Sequence, residues 1–179
     1  DLRQTLSDIL EAFQPGRNSF LSRLLLGQRV EKILFAATKA DHLHHSQHGA
    51  LSGIMQALVR DAVDRAKFAG AETQAMAIAS LRATVEETLS HEGRPLDCVR
   101  GTLLEADGTR GRMAAMYPGE LPEDPARLLN PARAGQVAWL DGEYALMSFA
   151  PAVLRLKPGE GPPHIRLDRA AQFLIGDRL

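Results

Sequence analysis

Apolar and polar residues along the first half of the chain follow an order typical of a strand–helix–strand unit. The apolar run at residues 33–37 does not alternate with polar residues, which predicts a strand buried on both faces, as in a parallel sheet. Helical spacing follows at about 49–69, and its predicted inner face comprises Leu51, Ile54, Met55, Leu58, Ala62 and Ala66. A second apolar run at 75–79 predicts the next strand. This order predicts a right-handed βαβ unit with parallel strands.

Both ends of the chain show helical spacing. Apolar residues from Leu2 to Phe13 predict one helix, and Ser19 can cap a second short helix that runs to Leu26. At the other end, the apolar spacing predicts a closing helix with one buried face, formed by Leu167, Ala170, Ala171 and Leu174. Gly176 lies near the end of this helix.

The region between the βαβ unit and the closing helix is rich in β-formers and turn residues. Predicted strands at 97–105, 112–117, 136–140 and 144–149 are separated by Pro, Asp107-Gly108 and Asp141-Gly142. We expect a small antiparallel β appendage here. The predicted division is therefore 1–93 for the α/β part, 94–163 for the appendage, and 164–179 for a helix that packs back on the α/β part.

Composition narrows the functional classes. The net charge of the 179 residues is −1, which gives no indication of nucleic-acid or anionic-membrane binding. The single Cys98 excludes an internal disulfide framework and is expected to be a packed core residue. No apolar stretch reaches the roughly 20 residues that span a bilayer. We therefore expect a cytoplasmic protein without a membrane span.

The first predicted strand ends in Thr38-Lys39-Ala40-Asp41, the Asn/Thr-Lys-x-Asp pattern of guanine recognition. Ligands of open α/β sheets bind at the carboxyl ends of the strands. A carboxylate at Asp41 can accept two hydrogen bonds from the ring N–H and exocyclic amine of guanine. The aliphatic part of Lys39 can cover one face of the base, while Thr38 ties adjacent loops together. The alternative for these four residues is a polar exit from the strand.

The second predicted strand ends in Ser80-Leu81-Arg82, where GTP-binding proteins carry a Ser-Ala-Lys-like loop. In that arrangement the Leu81 N–H meets the guanine carbonyl and Arg82 supplies a basic stem beside the base. Taken alone, Ser80 fits equally well as the N-cap of a helix over 83–90, with Glu86 and Glu87 on its solvated face. Two such motifs on successive strands are more informative than either one.

Four histidines, His42, His44, His45 and His48, follow the tetrad. His44 and His48 are four residues apart and fit one helix face, but the sequence places no Cys beside them, and Asp41 is the nearest acid. We expect a solvated loop rather than a metal site.

Residues 35–42 with the Gln47-His48 pair resemble the YcjX-like family of bacterial P-loop NTPases, which are predicted GTPases. Further resemblance is found at 28–35, 79–84, 117–120, 163–170 and 173–179, so it covers nearly the whole chain. The resemblance implies the C-terminal part of a Ras-like P-loop GTPase core, a parallel sheet with flanking helices, carrying the β appendage and closing helix. It also implies GTP or GDP as ligand, Mg²⁺ in the intact protein, and a link to stress responses.

The phosphate-binding Gly-x-x-x-x-Gly-Lys-Ser/Thr loop, the switch segment and the magnesium aspartate of that family are absent from this sequence. These elements position and stabilise the transferred phosphoryl group. We therefore expect no catalytic residue and no Mg²⁺ site in this chain, which would act with a missing N-terminal P-loop half and be inactive alone. Two alternatives remain open, a protein-interaction module without nucleotide binding and an ATPase with relaxed base choice.

Overall fold

The computed structural model describes residues 30–125 and 147–179. The predicted N-terminal helices, the strand at 136–140, the Asp141-Gly142 turn, Pro131 and the start of the strand at 144–149 lie outside these residues. Within them, the chain forms β1 (Lys32–Ala37), α1 (His48–Leu58), α2 (Arg60–Phe68), β2 (Glu72–Ala77), β3 (Thr84–His91), β4 (Arg94–Leu104), β5 (Arg110–Met116) and α3 (Leu167–Ile175), with short 3-10 helices at Ala40–His42 and His45–Gln47.

The predicted parallel strand pair is confirmed. β1 and β2 pair in parallel, with Lys32 opposite Glu72 and Ala37 opposite Ala77. β2 begins three residues earlier than the apolar run at 75–79, because sheet pairing extends into the more polar Glu72–Gln74 segment. The carboxyl ends of the two strands therefore lie side by side, and the chain beyond Ala37 and beyond Ala77 leaves the sheet at the same edge.

The predicted single helix at 49–69 is two helices that meet at Val59. Val59 is fully buried and packs with Phe35 of β1 and Ala62 of α2, and Met55 of α1 packs against the same cluster. The backbone of Val59 departs from helical geometry at φ −99° and ψ 10°. Leu51 instead packs against a second cluster at the carboxyl ends of the strands, around Ala40, Ala77, Ala79 and Ile165.

A three-stranded antiparallel sheet follows the βαβ unit, in the order β3-β4-β5. The alternative helix over 83–90 is wrong, because residues 84–91 pair with β4 along their whole length. One salt bridge across this pair joins Glu87 to Arg100, with 2.5 Å between Oε2 and Nε. Local helix propensity at the two glutamates is thus overridden by pairing with a distant strand. The core of this part of the chain is a cluster of three buried side chains, Val99 on β4, Met116 on β5 and Phe149.

The turn predicted at Asp107-Gly108 is confirmed. It joins β4 to β5, Gly108 has a φ of 82°, and its N–H donates to the Glu105 carbonyl. Gly93, also with positive φ, lies in the turn between β3 and β4. The predicted division at residue 93 thus falls inside this hairpin, and the three-part division stays a prediction.

The closing helix α3 spans Leu167–Ile175 and lies against β1. The Nζ atom of Lys32 on β1 lies 6.0 Å from the centre of the Phe173 ring and 2.6 Å from Asp177 Oδ1. The predicted inner face of α3 is wrong in part, because only Ala170 is buried, whereas Leu167, Ala171 and Leu174 are exposed. No helix in the two described stretches is both long and apolar enough to cross a membrane.

Candidate functional site

The loops that leave β1 and β2 are joined by backbone hydrogen bonds. The Ile78 N–H donates to the Ala37 carbonyl at 2.8 Å, and the Ala40 N–H donates to the Ile78 carbonyl at 3.0 Å. Thr38 and Lys39 lie between these two bonds and are exposed. Lys39 has a left-handed backbone, φ 59° and ψ 35°, a conformation that costs a non-glycine residue roughly 1 kcal/mol or more. The fold therefore holds Lys39 in a strained, solvent-facing position at the edge of the sheet.

Asp41 is almost fully buried, and its carboxylate faces the loop that follows β2. Its Oδ2 accepts a 2.7 Å hydrogen bond from the Ala83 N–H, and its backbone carbonyl accepts a hydrogen bond from the Thr84 hydroxyl. Only 4 % of the Asp41 surface is exposed. Asp41 thus links the two loops directly. A carboxylate offers about four acceptor positions, so Asp41 could bind a further ligand while it keeps the bond to Ala83. Such contact requires that the side chain first be uncovered.

The second loop is arranged by the chain segment before α3. Ala79 and Ile165 exchange two backbone hydrogen bonds, and the Arg82 N–H donates to the Pro163 carbonyl at 2.9 Å. Ser80 is exposed, and Leu81 and Arg82 are half-buried. The Leu81 N–H has no acceptor within residues 30–125 and 147–179. The loop thus presents the Leu81 N–H as a backbone donor at the edge where the tetrad ends.

Arg82 is engaged by a glutamate on the next strand. Its Nη2 lies 3.3 Å from Glu86 Oε1, and His45 Nδ1 lies 2.7 Å from Glu86 Oε2. Burial alone would raise the pKa of Glu86, but the hydrogen bond and charge of His45, with His44 and Arg82, lower it below its usual value. Arg82 also lines a cavity of about 610 Å³ between β3, β4 and the Ala150–Val153 stretch, and it is the only one of the six predicted site residues that does.

His48 and Arg166 form hydrogen bonds with the backbone at the ends of the tetrad loop and β2, a role that was not predicted from the sequence. The His48 ring Nε2 lies 2.8 Å from the Ala40 carbonyl, and Arg166 Nη1 lies 3.4 Å from His48 Nδ1 and 3.2 Å from the Ala77 carbonyl. A neutral His48 ring that donates from Nε2 and accepts at Nδ1 fits both contacts. Arg166, with φ 53°, therefore connects the end of β2 to α1.

Burial lowers the pKa of two histidines around the tetrad. For His48, desolvation is the largest cause, and its bond to the Ala40 carbonyl opposes it. For His42, desolvation again dominates and the Asp41 charge opposes it; the His42 ring packs edge-on against Phe149 at 5.2 Å between centres. Both rings are therefore favoured in the neutral form, His48 as a hydrogen-bonding group and His42 as a packing group.

The structure thus brings together all six residues predicted for the base site, in three different environments. Thr38, Lys39 and Ser80 are exposed, Leu81 and Arg82 are half-buried, and Asp41 is buried. The residues that sequence reasoning missed are Ala83, Thr84, His48 and Arg166. Ala83 acts through its backbone, so no side-chain pattern indicates it. Cys98 is buried as predicted, and burial raises the pKa of its thiol.

These features define an α/β protein in which two parallel strands bring a Thr-Lys-x-Asp loop and a Ser-Leu-Arg loop together at one edge. A family model described as the YcjX-like family, DUF463, matches residues 1–179. The chain belongs to this family.

Two curated relatives are similar over the whole chain. One is a protein of Escherichia coli K12 named Ras-like GTPase YcjX, 36% identical over 180 residues, and the other is a protein of the same name from Shewanella oneidensis, 30% identical over 181 residues. Each alignment covers 100% of this chain but only 35% and 34% of the respective relative. The chain therefore spans about a third of the length of these relatives.

Proposed function

We propose that this chain carries the guanine-recognition part of a GTP-binding protein, with Thr38, Lys39 and Asp41 on one side of the base and the 80–82 loop on the other. The observation that carries the proposal is the direct bond between the two loops, from the Ala83 N–H to the Asp41 carboxylate. Loops that converge at the carboxyl ends of parallel strands are the usual ligand site of an open α/β sheet. The name Ras-like GTPase, which both relatives carry, supports the same class of ligand.

Each residue has a distinct part in this proposal. The Asp41 carboxylate accepts from the ring N–H and exocyclic amine of guanine, and the Leu81 N–H donates to the guanine carbonyl. Adenine has no matching pair of donors, so its binding leaves a desolvated carboxylate without partners, which disfavours it strongly.

The basic residues and Thr38 complete the proposed surroundings of the base. Lys39 is exposed and forms no salt bridge with any residue of the described stretches, so its aliphatic stem is available to cover the base. Arg82 flanks the other face, and Thr38 braces the loops.

The burial of Asp41 bears on how a base would enter. Four per cent exposure leaves no room for a purine edge against both carboxylate oxygens, so residues 80–82 have to move outward while the Asp41 carboxylate keeps its bond to the Ala83 N–H. The exposed Ser80 and the Leu81 N–H without a described acceptor lie in this loop. In this proposal the bond to Ala83 keeps the carboxylate oriented before the base arrives, which reduces the entropy lost on binding.

Phosphate binding and hydrolysis are assigned elsewhere in the full-length protein. Backbone N–H groups of a P-loop, its lysine and Mg²⁺ provide most of the phosphate affinity in such proteins, and no residue of this chain fits those parts. Base contacts then decide mainly which nucleotide binds. Hydrolysis of GTP, a place in stress responses and a cytoplasmic location belong to this proposal for the whole protein.

One observation favours a different class. Because Asp41 already serves as a buried link between loops, the tetrad also fits a purely structural role in a protein-interaction module. Val85 and Met113 on the antiparallel sheet are exposed at 61% and 65%. In that case, neither GDP nor ADP stabilises the protein. An ATPase with relaxed base choice predicts equal stabilisation by both.

The test compares GDP and ADP binding to the full-length protein with Mg²⁺, by calorimetry. We expect wild-type protein to prefer GDP and Asp41→Ala to lose that preference by more than about tenfold, since it removes both base contacts. Asp64→Ala, which removes an exposed aspartate on α2, serves as the control and should keep the preference. An unchanged GDP preference in Asp41→Ala would refute the assignment.

A further inference from the structure

Two histidines and one glutamate converge beside the tetrad loop. His44 and His45 lie at the start of the second 3-10 helix, and Glu86 lies on β3. One ligand atom of each side chain lies within 4.8 Å of those of the other two. Glu86 Oε2 is 2.7 Å from His45 Nδ1 and 3.8 Å from His44 Nε2. The sequence placed no acid other than Asp41 near these histidines, so Glu86 corrects that expectation.

We propose that His44, His45 and Glu86 bind a divalent transition-metal ion, with Zn²⁺ as the best match. Zinc takes imidazole nitrogens at about 2.0–2.1 Å and carboxylate oxygens at about 2.0–2.2 Å, so tetrahedral ligand atoms lie roughly 3.4 Å apart. The two observed distances, 2.7 Å and 3.8 Å, lie on either side of that value. Rotation of the exposed His45 ring would lengthen the shorter distance, and rotation of the Glu86 carboxylate toward His44 would shorten the longer one. Three protein ligands leave a fourth position open.

The His44 ring is held in the orientation that the proposal needs. Its Nδ1 lies 2.8 Å from Ser46 Oγ and 3.2 Å from Asp97 Oδ2 on β4. The Ser46 N–H also points at this Nδ1, at the longer distance of 3.4 Å, and that contact requires an unprotonated Nδ1. If the proton is instead on Nδ1 and is donated to Asp97, the long contact is given up and the lone pair of Nε2 is directed toward Glu86. A carboxylate behind a metal-binding imidazole fixes the tautomer and the ring orientation in this way. Only 11% of the His44 side chain is exposed, which restricts its rotation.

The neighbouring positive charge does not occupy the same oxygen. Arg82 approaches Glu86 through Oε1, at 3.3 Å, whereas both histidines face Oε2. One carboxylate can therefore hold the guanidinium and the ion at once.

The donor set also separates this site from a nucleotide magnesium. Imidazole ligands suit Zn²⁺, Co²⁺ or Ni²⁺, whereas Mg²⁺ selects oxygen ligands and water. The ion would join the 3-10 helix that follows the tetrad to the strand that follows the 80–82 loop. It would thus cross-link the two loops independently of any bound nucleotide.

The test uses the full-length protein, freed of metal with a chelator and without nucleotide. Co²⁺ alone is titrated and followed by its ligand-field absorption, and Zn²⁺ alone is measured by calorimetry. We expect wild-type protein to bind one Zn²⁺ at this site, and an excess of Mg²⁺ not to displace it.

Two variants and one control make the test specific. His45→Ala is informative because its side chain is 69% exposed, so the fold should persist, and circular dichroism checks this. Loss of a group that merely orients a ligand weakens metal binding by about 10- to 100-fold, so loss of a ligand in His45→Ala or Glu86→Gln should weaken Zn²⁺ binding at least about tenfold. His91→Ala, which removes an exposed histidine at the far end of β3, should bind as wild type does.

Equal Zn²⁺ affinity in wild type and His45→Ala would overturn the proposal, as would a loss of affinity in His91→Ala as large as that in His45→Ala. Absence of binding to wild-type protein would overturn it too. The proposal would be supported if Zn²⁺ binding is weakened in His45→Ala and in Glu86→Gln but not in His91→Ala. Tetrahedral Co²⁺ bands in wild type that are lost in His45→Ala would support it as well.

Discussion

The carboxylate of Asp41 accepts a 2.7 Å hydrogen bond from the backbone N–H of Ala83, 42 residues further along the chain. This bond lies between the loops that leave two parallel strands, and Asp41 is buried where they meet. It gives Asp41 a structural part that is separate from any contact with a base. The structural role and the proposed base contact can be measured separately, because the stability of the nucleotide-free protein depends only on the structural role.

Asp41→Ala should destabilise the nucleotide-free protein. The substitution leaves the part-buried Ala83 N–H without an acceptor, which costs about 1–3 kcal/mol if water does not replace the carboxylate. Asp41→Asn should cost less, because the amide oxygen can still accept from that N–H. Urea denaturation of the full-length protein measures both. Wild-type stability in Asp41→Ala would show that the bond between the loops contributes nothing.

Gly101→Ala should also be destabilising. Gly101 lies on β4 opposite Thr84, and an added Cβ would come within 2.7 Å of Phe149 Cδ1 and 3.0 Å of the Ala83 carbonyl oxygen. Overpacking of this kind costs typically about 1–3 kcal/mol. Because Ala83 bonds to Asp41, the change should reach the candidate site as well.

Gly49→Ala is the matched control for Gly101→Ala. Gly49 lies near the start of α1 with nothing within 4 Å of an added Cβ. Alanine is favoured over glycine in a helix by up to about 1 kcal/mol, so this variant should be as stable as wild type or slightly more. Equal midpoints of chemical denaturation for the two variants would contradict the close approach of Gly101 to Ala83 and Phe149.

His48 should make stability depend on pH. Burial lowers its pKa from the ordinary 6.5. As the pH falls below 6.5, His48 is therefore protonated in the unfolded chain before it is protonated in the folded protein. The stability present above pH 6.5 is therefore lost as the pH falls toward the folded pKa. His42 acts in the same direction, because burial lowers its pKa too.

His48→Gln should reduce this loss without abolishing it, because His42 remains. The glutamine amide can still donate to the Ala40 carbonyl, so the variant should remain folded at about pH 8, where both histidines are neutral in either state. Denaturation midpoints between about pH 8 and pH 5 measure the slope. A slope identical to that of wild type would show that His48 takes up its proton equally well in both states.

Gln47 should be the most sensitive polar residue of the second 3-10 helix. Its Nε2 donates to the Gly119 carbonyl at 2.7 Å, and its Oε1 accepts from the Leu121 N–H at 2.8 Å, which fixes the Gly119–Leu121 segment to the start of α1. Gln47→Glu keeps the acceptor but removes the donor, and the buried carboxylate then faces a carbonyl. We expect a loss of about 1–3 kcal/mol.

Gln56→Glu, an exposed position on α1, provides the comparison and should change stability by less than about 0.5 kcal/mol. Thermal unfolding of the two variants side by side measures the difference. If Gln47→Glu is no worse than Gln56→Glu, the two Gln47 hydrogen bonds do not hold the loop.

The sequence indicated the parts of the fold that depend on local pattern. Unbroken apolar runs predicted β1 and the second half of β2, and the Asp107-Gly108 pair predicted the turn between β4 and β5. Non-local pairing decided the rest. Residues 84–91 are compatible with a helix when considered alone, and they form a strand because β4 offers a complete set of partners, including the Arg100 partner of Glu87.

The same distinction applies to the site. Strand ends indicated where the tetrad and the 80–82 loop lie, because parallel strands finish at one edge. The partner of Asp41 could not be predicted, since Ala83 contributes only a backbone N–H. The position of Glu86 beside His44 and His45 could not be predicted either, because it depends on non-local strand pairing. It follows from β3 being a strand rather than a helix.

Exchange of the hydrogen-bonding character of Asp41 tests most directly whether its side chain recognises guanine. In xanthine a carbonyl replaces the exocyclic amine of guanine, so Asp41→Asn, whose amide can donate, should bind XDP better than GDP, while wild-type protein prefers GDP. Calorimetric titration of the full-length wild type and Asp41→Asn with each nucleotide gives the two ratios. Reversal of the preference is the predicted result. Equal weakening of both nucleotides, or an unchanged preference for GDP, would contradict the account and leave Asp41 as a structural link between the loops.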